Sequence, residues 1–204
     1  MQECAMPVNA VLIVAILGAM LAPVQSTSNP DAEGFIRDWL VLAPIAIEGE
    51  SGADQIDKDF IAGEAAAKPK AGDTVTVGGK PLAWTAHKSA DYYIDFLAGF
   101  GKARGEYVAG YAVTYIVADE DMKLTLALSS NDQGKAWLNG QQVFRFADTR
   151  TLEKDSDKSE VTLKKGRNVL LLKVINETNN WQGCARFLKD GAPAKNLRIS
   201  LTPQ

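Results

Sequence analysis

The most constraining feature of this sequence is a strict alternation of apolar and polar or small side chains in two short segments. Leu124, Leu126 and Leu128 alternate with such residues, and the same pattern runs from Leu197 to Leu201. Successive side chains of a β-strand point to opposite faces, so a period of two predicts a strand with one buried face. Strands of this kind bury that face against a second layer.

Seven further segments are rich in apolar, β-branched or aromatic residues and are bounded by clusters of Gly, Asn, Asp or Pro, which also predicts strands. These segments are Trp39 to Ile45, Thr74 to Val77, Tyr92 to Leu97, Tyr107 to Val117, Val161 to Leu163, Asn168 to Ile175 and Trp181 to Leu188. Ser51 is suited to cap one short helix through Asp54 to Phe60. The sequence therefore predicts an all-β fold, a two-sheet antiparallel β-sandwich of the jelly-roll kind with at most one or two short helices.

A β-hairpin is predicted at Asn139 and Gly140, because a type I′ turn needs positive φ at both central positions. That turn pairs Trp137 with Gln142 and separates the side chains into two faces. The expected core face consists of Ala136, Leu138 and Val143. The opposite face is expected to hold Lys135, Trp137, Gln142 and Phe144. This second face is interpreted either as a stacking platform for a ring-shaped ligand or as a surface buried beneath a loop.

The N-terminal segment has the pattern of a secretory signal. An unbroken apolar run from Ala10 to Val24 is followed by small and polar residues, which predicts a signal peptide over residues 1–26. The run is short for a membrane span of about 20 residues, and an uncleaved anchor is the alternative. Residues 27–34 are expected to be flexible, and residues 35–204 to form one domain. The location expected is secreted, periplasmic or cell-surface.

Composition excludes several classes of protein. The net charge of −3 and the absence of a run of Lys or Arg leave no basic surface for nucleic acid. One His and two Cys are too few for a zinc centre of the usual kind, and a lone His87 is weak evidence for acid–base catalysis. Asp155, Asp157 and Glu160 lie close together in the sequence, with a spacing suited to oxygen ligands. The loop that holds them is interpreted either as a weak calcium site or as a solvated charged segment.

The hairpin lies within a longer pattern that carries a family resemblance. Residues Asn131 to Gly140 follow the strand Leu124 to Ser129, and Val161 to Val174 adds a strand, a Gly turn and a long strand. This arrangement resembles the galactose-binding-like (jelly-roll) β-sandwich modules of secreted bacterial proteins and glycoside hydrolases. The resemblance extends from about Trp39 to Leu201.

The resemblance implies a non-catalytic carbohydrate-binding or accessory module that acts on a glycan or cell-surface polysaccharide. The candidate sugar-binding residues are Asn131, Asp132, Trp137, Arg145 and Trp181. Relatives with a protective-antigen-type sandwich hold calcium on two adjacent Asp residues, and Asn131 takes one of those places here. Asp132 is therefore interpreted either as a calcium ligand or as a cap that accepts backbone N–H groups in the turn. Each Trp either stacks on sugar or lies in the core, and Arg145 either clamps a ligand or forms an ion pair.

Two alternatives remain open. The same aromatic and polar residues suit an interface with a secreted or cell-surface protein. A catalytic jelly-roll glycosidase needs two carboxylates at a set distance. The sequence has 25 Asp and Glu residues and does not exclude such a pair. Exposure of Trp84, Trp137 or Trp181 in a concave surface favours sugar, and burial of all three beside a flat exposed patch favours a protein partner. We expect no nucleic-acid partner and no membrane span once the signal is removed.

Overall fold

The computed structural model describes residues 1, 26–100 and 105–203. The predicted signal peptide thus lies outside the described residues, apart from Met1 and Ser26. The rest of the described chain is mostly strand and forms two antiparallel sheets packed as a sandwich, which confirms the predicted fold class. Within this described part, α-helix is confined to one short element, and no helix is long and apolar enough to cross a membrane.

The strands are numbered in chain order, and the longest connection runs from β1 to β2. The strands are β1 (Asp38–Ala46), β2 (Thr74–Val77), β3 (Lys80–Ala83), β4 (Thr85–Lys88), β5 (Ile94–Asp95), β6 (Val108–Ala118), β7 (Met122–Asn131), β8 (Gln133–Leu138), β9 (Gln141–Phe146), β10 (Asp157–Leu163), β11 (Gly166–Asn176), β12 (Gln182–Lys189), β13 (Ala192–Pro193) and β14 (Leu197–Ser200). The helix α1 spans Phe96–Phe100, and a 3₁₀ turn spans Glu64–Ala66.

The larger sheet, sheet A, has the order β4-β1-β6-β11-β8-β9, and β14 pairs with the part of β6 that β1 leaves free. The smaller sheet, sheet B, has the order β10-β7-β12-β13, with β5 also pairing with β12. Strands β2 and β3 form a separate two-stranded hairpin. The two sheets place the long strands β6, β7 and β11 at the centre of the sandwich.

The main core lies between the two sheets. Leu124, Leu126 and Leu128 of β7 all point into it and are at most 2% exposed. Leu170 and Leu172 of β11 meet them from sheet A. Each buried leucine of this kind contributes about 1.5–3 kcal/mol to stability through removal of apolar surface from water. The alternation in the sequence thus specifies the inward face of β7, as predicted.

A second apolar layer covers the outer face of sheet A. Residues 48–84, which we call the cover segment, cross this face and bury Ile56, Ile61 and Trp84 against it. The sheet contributes Leu40, Leu42, Ala109, Tyr111, Val113, Tyr115, Trp137, Leu171 and Ile175 to this layer. Sheet A is therefore buried on both faces.

The helix predicted from Asp54 to Phe60 is wrong, because this part of the cover segment forms turns. Ser51 does accept a hydrogen bond, since the N–H of Asp54 lies 3.3 Å from its hydroxyl oxygen. Packing of Ile56 against sheet A, rather than helix propensity, decides the local conformation. The strand predicted from Tyr92 to Leu97 is likewise reduced to β5, because the chain continues from Asp95 directly into α1.

The predicted hairpin is present, but its register changes part of the way along. Asn139 and Gly140 have φ values of 52° and 82°, and Trp137 pairs with Gln142 as predicted. A bulge then pairs Ala136 with Phe144 in place of Val143. An inserted residue reverses the side-chain faces beyond it. Phe144 therefore lies in the main core, and its predicted place on the opposite face is wrong.

The segment 27–34, which we expected to be flexible, has defined contacts with both sheets. Ser28 exchanges backbone hydrogen bonds with Ile199 of sheet A at 2.9 and 2.8 Å. The Asp31 carboxylate accepts the N–H groups of Glu33 and Phe35 at 3.0 and 2.9 Å. Phe35 in turn forms a β-bridge to sheet B. The segment thus fastens one edge of the sandwich.

Candidate functional site

The three tryptophans expected to distinguish the two functions are all buried. Trp84, Trp137 and Trp181 are 2%, 5% and 0% exposed. The ring of Trp181 stacks on Phe96 with centroids 4.7 Å apart, and its Nε1–H donates to the Val174 carbonyl at 3.2 Å. Of the two interpretations given to Trp137 and Trp181, burial supports the structural one, and both side chains pack within the sandwich.

The cover segment explains the burial of Trp137. The side chain of Asp57, on this segment, bridges two basic residues on the Trp137 face of the hairpin, and its Oδ1 lies 2.8 Å from Lys135 Nζ. Its Oδ2 lies 2.7 Å from Arg145 Nη2. Hydrogen bonds from Arg145 and Lys135 hold the pKa of Asp57 well below its usual range. Arg145 thus forms the ion pair considered from sequence, and this face of the hairpin lies beneath a loop.

The predicted pair Asn131 and Asp132 lies at one end of the sandwich, and their peptide bond is cis. The Asp132 carboxylate accepts the N–H of Glu177 at 3.0 Å, and the Asn131 Nδ2 donates to the Arg150 carbonyl at 2.7 Å. Burial raises the pKa of Asp132. Both side chains are over nine-tenths buried and engaged with backbone, and Asp132 accepts a distant backbone N–H, that of Glu177.

Several of the oxygens that a calcium ion would need at this end of the sandwich are already engaged. Calcium takes six to eight oxygen ligands. Here the Asp132 carboxylate already accepts backbone N–H, and the Glu177 Oε1 accepts the Gly52 N–H and the Gln133 amide at 2.8 and 2.9 Å. The Arg150 guanidinium lies 2.9 Å from the adjacent Ser130 carbonyl, which places a positive charge beside the would-be ligands.

The weaker metal candidates do not converge either. Asp155 is paired with Arg186, Asp157 Oδ2 lies 2.7 Å from an Arg150 Nη2, and Glu160 accepts the Thr125 hydroxyl at 2.7 Å. Asp157 shares the inward face of β10 with Val161, whereas Glu160 lies on its outward face. Among residues 26–100 and 105–203, no group of three acidic, His or Cys side chains is arranged to hold a metal ion.

A groove on the cover side of sheet A is a concave site that sequence reasoning missed. Its volume is about 510 Å³. The end of β1, the cover segment near Phe60 and the β2–β3 hairpin form its three walls. It is lined by Pro44, Ile45, Ala46, Glu48, Lys58, Asp59, Phe60, Val77, Gly78, Lys80, Pro81 and Leu82. These residues come from three separate stretches of the sequence and share no motif. Strand β3, which supplies part of the lining, was not predicted from the sequence.

The groove combines an apolar floor with a charged rim. Phe60 is half-buried and lines the groove, and its ring centroid also lies 5.4 Å from Lys173 Nζ on the side of the second apolar layer. On the rim, Lys58 Nζ lies 2.7 Å from Glu48 Oε2. Asp59 and Lys80 are exposed and form no ion pair with any residue that the structure describes. A ligand in this groove would therefore meet one aromatic surface and groups of both charges.

Buried groups beneath the groove fix its floor. The backbone N–H of Phe60 donates to the Tyr111 hydroxyl oxygen at 3.3 Å. The Lys58 carbonyl accepts a hydrogen bond from Lys173 Nζ at 3.0 Å. Tyr111 and Lys173 belong to central strands of sheet A and are fully buried. The wall from Lys58 to Phe60 is therefore attached to the rigid part of the fold.

No family model and no curated protein matches this chain. Among solved structures it is similar to the PA14 domain of the MpAFP antifreeze protein, at 11% identity and a TM-score of 0.40 over 88% of this chain and 93% of that one. It is similar to a family 35 carbohydrate-binding module from an environmental isolate, at 14% identity and a TM-score of 0.34 over 83% and 97%.

A third similar structure is the β-glucosidase from Kluyveromyces marxianus, at 15% identity and a TM-score of 0.41 over 71% of this chain. The present chain spans 19% of the length of that enzyme. The structures that resemble this protein thus include carbohydrate-related modules, all at low identity. The function is therefore inferred from the residues of this chain.

Proposed function

We propose that this protein is a secreted, non-catalytic carbohydrate-binding or accessory module that takes a glycan into the groove above Phe60. One observation carries the proposal, namely that an aromatic residue, Phe60, and a rim of carboxylates and ammonium groups line one concave site. The C–H face of a sugar ring packs on an aromatic side chain, and its hydroxyls bond to charged groups around it.

The size and rigidity of the groove support this proposal. Its volume of about 510 Å³ falls within the range of about 300–1,000 Å³ for small-ligand sites. The attachment of Phe60 to Tyr111 limits the ordering that binding requires. A wall that is ordered before the ligand arrives loses less conformational entropy on binding, which improves affinity.

The charge state of one rim carboxylate, Glu48, argues against this group as the proton donor of a glycosidase. Glycosidases need one carboxylic acid that keeps its proton, in addition to a second carboxylate. Glu48 and Asp59 are the carboxylates of the groove. The hydrogen bond from Lys58 lowers the pKa of Glu48, so that group is ionised at neutral pH and is a poor proton donor.

A glycan-array screen of residues 27–204, with and without a chelator, tests the proposal. We expect binding to at least one glycan, unchanged by the chelator, and a loss of about tenfold or more in affinity for Phe60→Ala. Tyr93→Ala is the matched control, because it removes a half-buried aromatic ring outside the groove. The absence of any bound glycan would refute the function. A loss with Tyr93→Ala but not with Phe60→Ala would refute the groove as its site.

A second candidate function is an interface with a secreted or cell-surface protein, the alternative that burial of all three tryptophans favours. A further observation that favours it is a pair of half-exposed tyrosines, Tyr92 and Tyr93, whose ring centroids are 5.0 Å apart. Lys154 Nζ lies 4.5 Å from the Tyr92 ring centroid and 2.7 Å from Glu33. Exposed aromatic side chains with adjacent charges are typical of protein interfaces. A protein partner captured from extracellular material, lost with Tyr92→Ala and kept with Phe60→Ala, would support this function.

Export of the chain belongs to the same proposal. The apolar run from Ala10 to Val24 and the small residues after it support cleavage after Ser26. N-terminal sequencing of the exported protein is expected to begin at Thr27. Recovery of the whole protein in a membrane fraction with Met1 still present would favour the uncleaved anchor.

A further inference from the structure

An ion pair between Lys173 and Glu64 is sealed inside the protein. Lys173 Nζ lies 2.9 Å from Glu64 Oε1 and 3.0 Å from Oε2. The two side chains are 0% and 2% exposed. Because both oxygens contact the nitrogen, the carboxyl carbon between them is within reach of Nζ. This pair joins the 3₁₀ turn of the cover segment to the middle of β11.

Aromatic rings and a phenol surround the pair. Lys173 Nζ lies 5.4, 5.8 and 5.6 Å from the ring centroids of Phe60, Tyr111 and Trp137. The Tyr111 hydroxyl donates a short hydrogen bond to Glu64 Oε2 and accepts the Phe60 N–H. The carboxyl group is therefore oriented by a fixed donor, and water has no access to it.

Burial favours the neutral forms of both groups. It raises the pKa of Glu64, against the opposing effects of Tyr111 and Lys173, and it lowers the pKa of Lys173. A neutral amine is a nucleophile, and a neutral carboxylic acid is a better acceptor for it than a carboxylate. Keeping two charges in an apolar interior also costs desolvation free energy, which a neutral product would remove.

We propose that Lys173 and Glu64 condense to form an intramolecular isopeptide bond. The lone pair of Nζ attacks Cδ of Glu64, a C–N bond forms, and a C–O bond breaks to release one water molecule. In the neutral pair the amine gives up one proton and the carboxylic acid gives up its hydroxyl group, so these two groups supply the whole water molecule and no further reactant is needed. Tyr111 is the positioning residue, because its hydroxyl donates to the oxygen on which negative charge develops.

The product has a clear structural consequence. It links residues 109 positions apart in the sequence and fastens the cover segment covalently to sheet A. A link of that length restricts the unfolded chain strongly and therefore stabilises the folded state. The neutral amide also replaces two buried charges with groups that need fewer hydrogen bonds.

Intact-mass measurement of the denatured wild-type protein tests the proposal directly. The expected mass is one water below that of the sequence between its determined termini, whereas Lys173→Met is expected to have its full sequence mass. Lys135→Met is the matched control, because it removes a lysine that also contacts the cover segment, and it is expected to keep the loss of water. The wild-type result does not depend on whether any variant folds.

Tryptic peptide mapping locates the bond. A linked wild-type protein gives a branched peptide that joins residues 59–70 to residues 168–186, since trypsin does not cleave after an acylated lysine. Tyr111→Phe is expected to lower the fraction of freshly synthesised, folded protein that yields this peptide. An unmodified wild-type mass, or a loss of water that persists in Lys173→Met, would overturn the proposal.

Discussion

Asp57 of the cover segment binds Arg145 and Lys135 at once, with its Oδ2 2.7 Å from Arg145 Nη2 and its Oδ1 2.8 Å from Lys135 Nζ. The contact with Arg145 spans 88 positions in the sequence. Lys135 is mostly buried, whereas Asp57 is 57% exposed. This pair of contacts closes the cover over Trp137 and converts a predicted ligand-binding face into an interior.

We expect Asp57→Asn to destabilise the protein by about 1 kcal/mol at pH 7, since exposed ion pairs are worth little and the mostly buried Lys135 loses its partner. The lowered pKa of Asp57 sets the pH dependence. The contribution is fully present above the unfolded-state pKa of about 4 and is lost as pH falls through the lower folded-state pKa. Urea unfolding at several pH values measures this. A wild-type advantage that stays constant from pH 7 down to the acid limit of folding would contradict it.

The burial of Trp181 leads to a prediction that separates packing from sugar binding. Trp181→Ala is expected to cost about 3–5 kcal/mol, because it removes a fully buried ring stacked on Phe96. A Cβ on Gly110 would lie 2.6 Å from the same ring, which shows how closely the backbone of β6 approaches it. Chemical denaturation gives the loss of stability. Glycan affinity per folded molecule is expected to be unchanged, and a selective loss of affinity in a stable variant would restore the sugar-binding interpretation.

The sequence predicts this fold well where one face of a strand is buried and the other is polar. Leu124, Leu126 and Leu128 specify β7 in that way, and Asn139 with Gly140 specifies the hairpin turn. The bulge beyond that turn leaves no such signal, so the faces of Phe144 and Arg145 were not predictable from the turn alone.

The candidate site was harder to predict than the fold. The cover segment has no periodicity, since Ile56 and Ile61 anchor irregular turns rather than a helix or strand. Without the cover, neither the burial of Trp137 nor the groove beside Phe60 follows from the sequence. A buried network is equally invisible, because Glu64 and Lys173 are ordinary surface residue types separated by 109 positions.

The hairpin turn supplies a prediction on backbone conformation. Gly140 has a φ of 82°, a value that costs other residues about 1–2 kcal/mol. Gly140→Ala is therefore expected to lower the free energy of unfolding by about that amount, measured by urea denaturation. Gln141→Ala is the control, because this exposed neighbour is expected to change stability by less than about 0.5 kcal/mol. Equal effects of the two variants would show that the positive φ is not responsible.

Cys184 provides a test of how tightly the outer face of β12 in sheet B is covered. It is a free cysteine, 1% exposed, and burial raises the pKa of its thiol to about 12. The thiolate is the reactive form, so at pH 8 the folded protein is expected to leave this thiol unmodified by an aromatic disulfide reagent. Unfolding in denaturant returns the thiol to water and lowers its pKa toward about 8.5, which makes it react within the mixing time. The measurement uses a Cys4→Ser background so that one thiol is counted. Rapid reaction of the folded protein at pH 8 would show that the outer face of β12 opens far more readily than its packing implies.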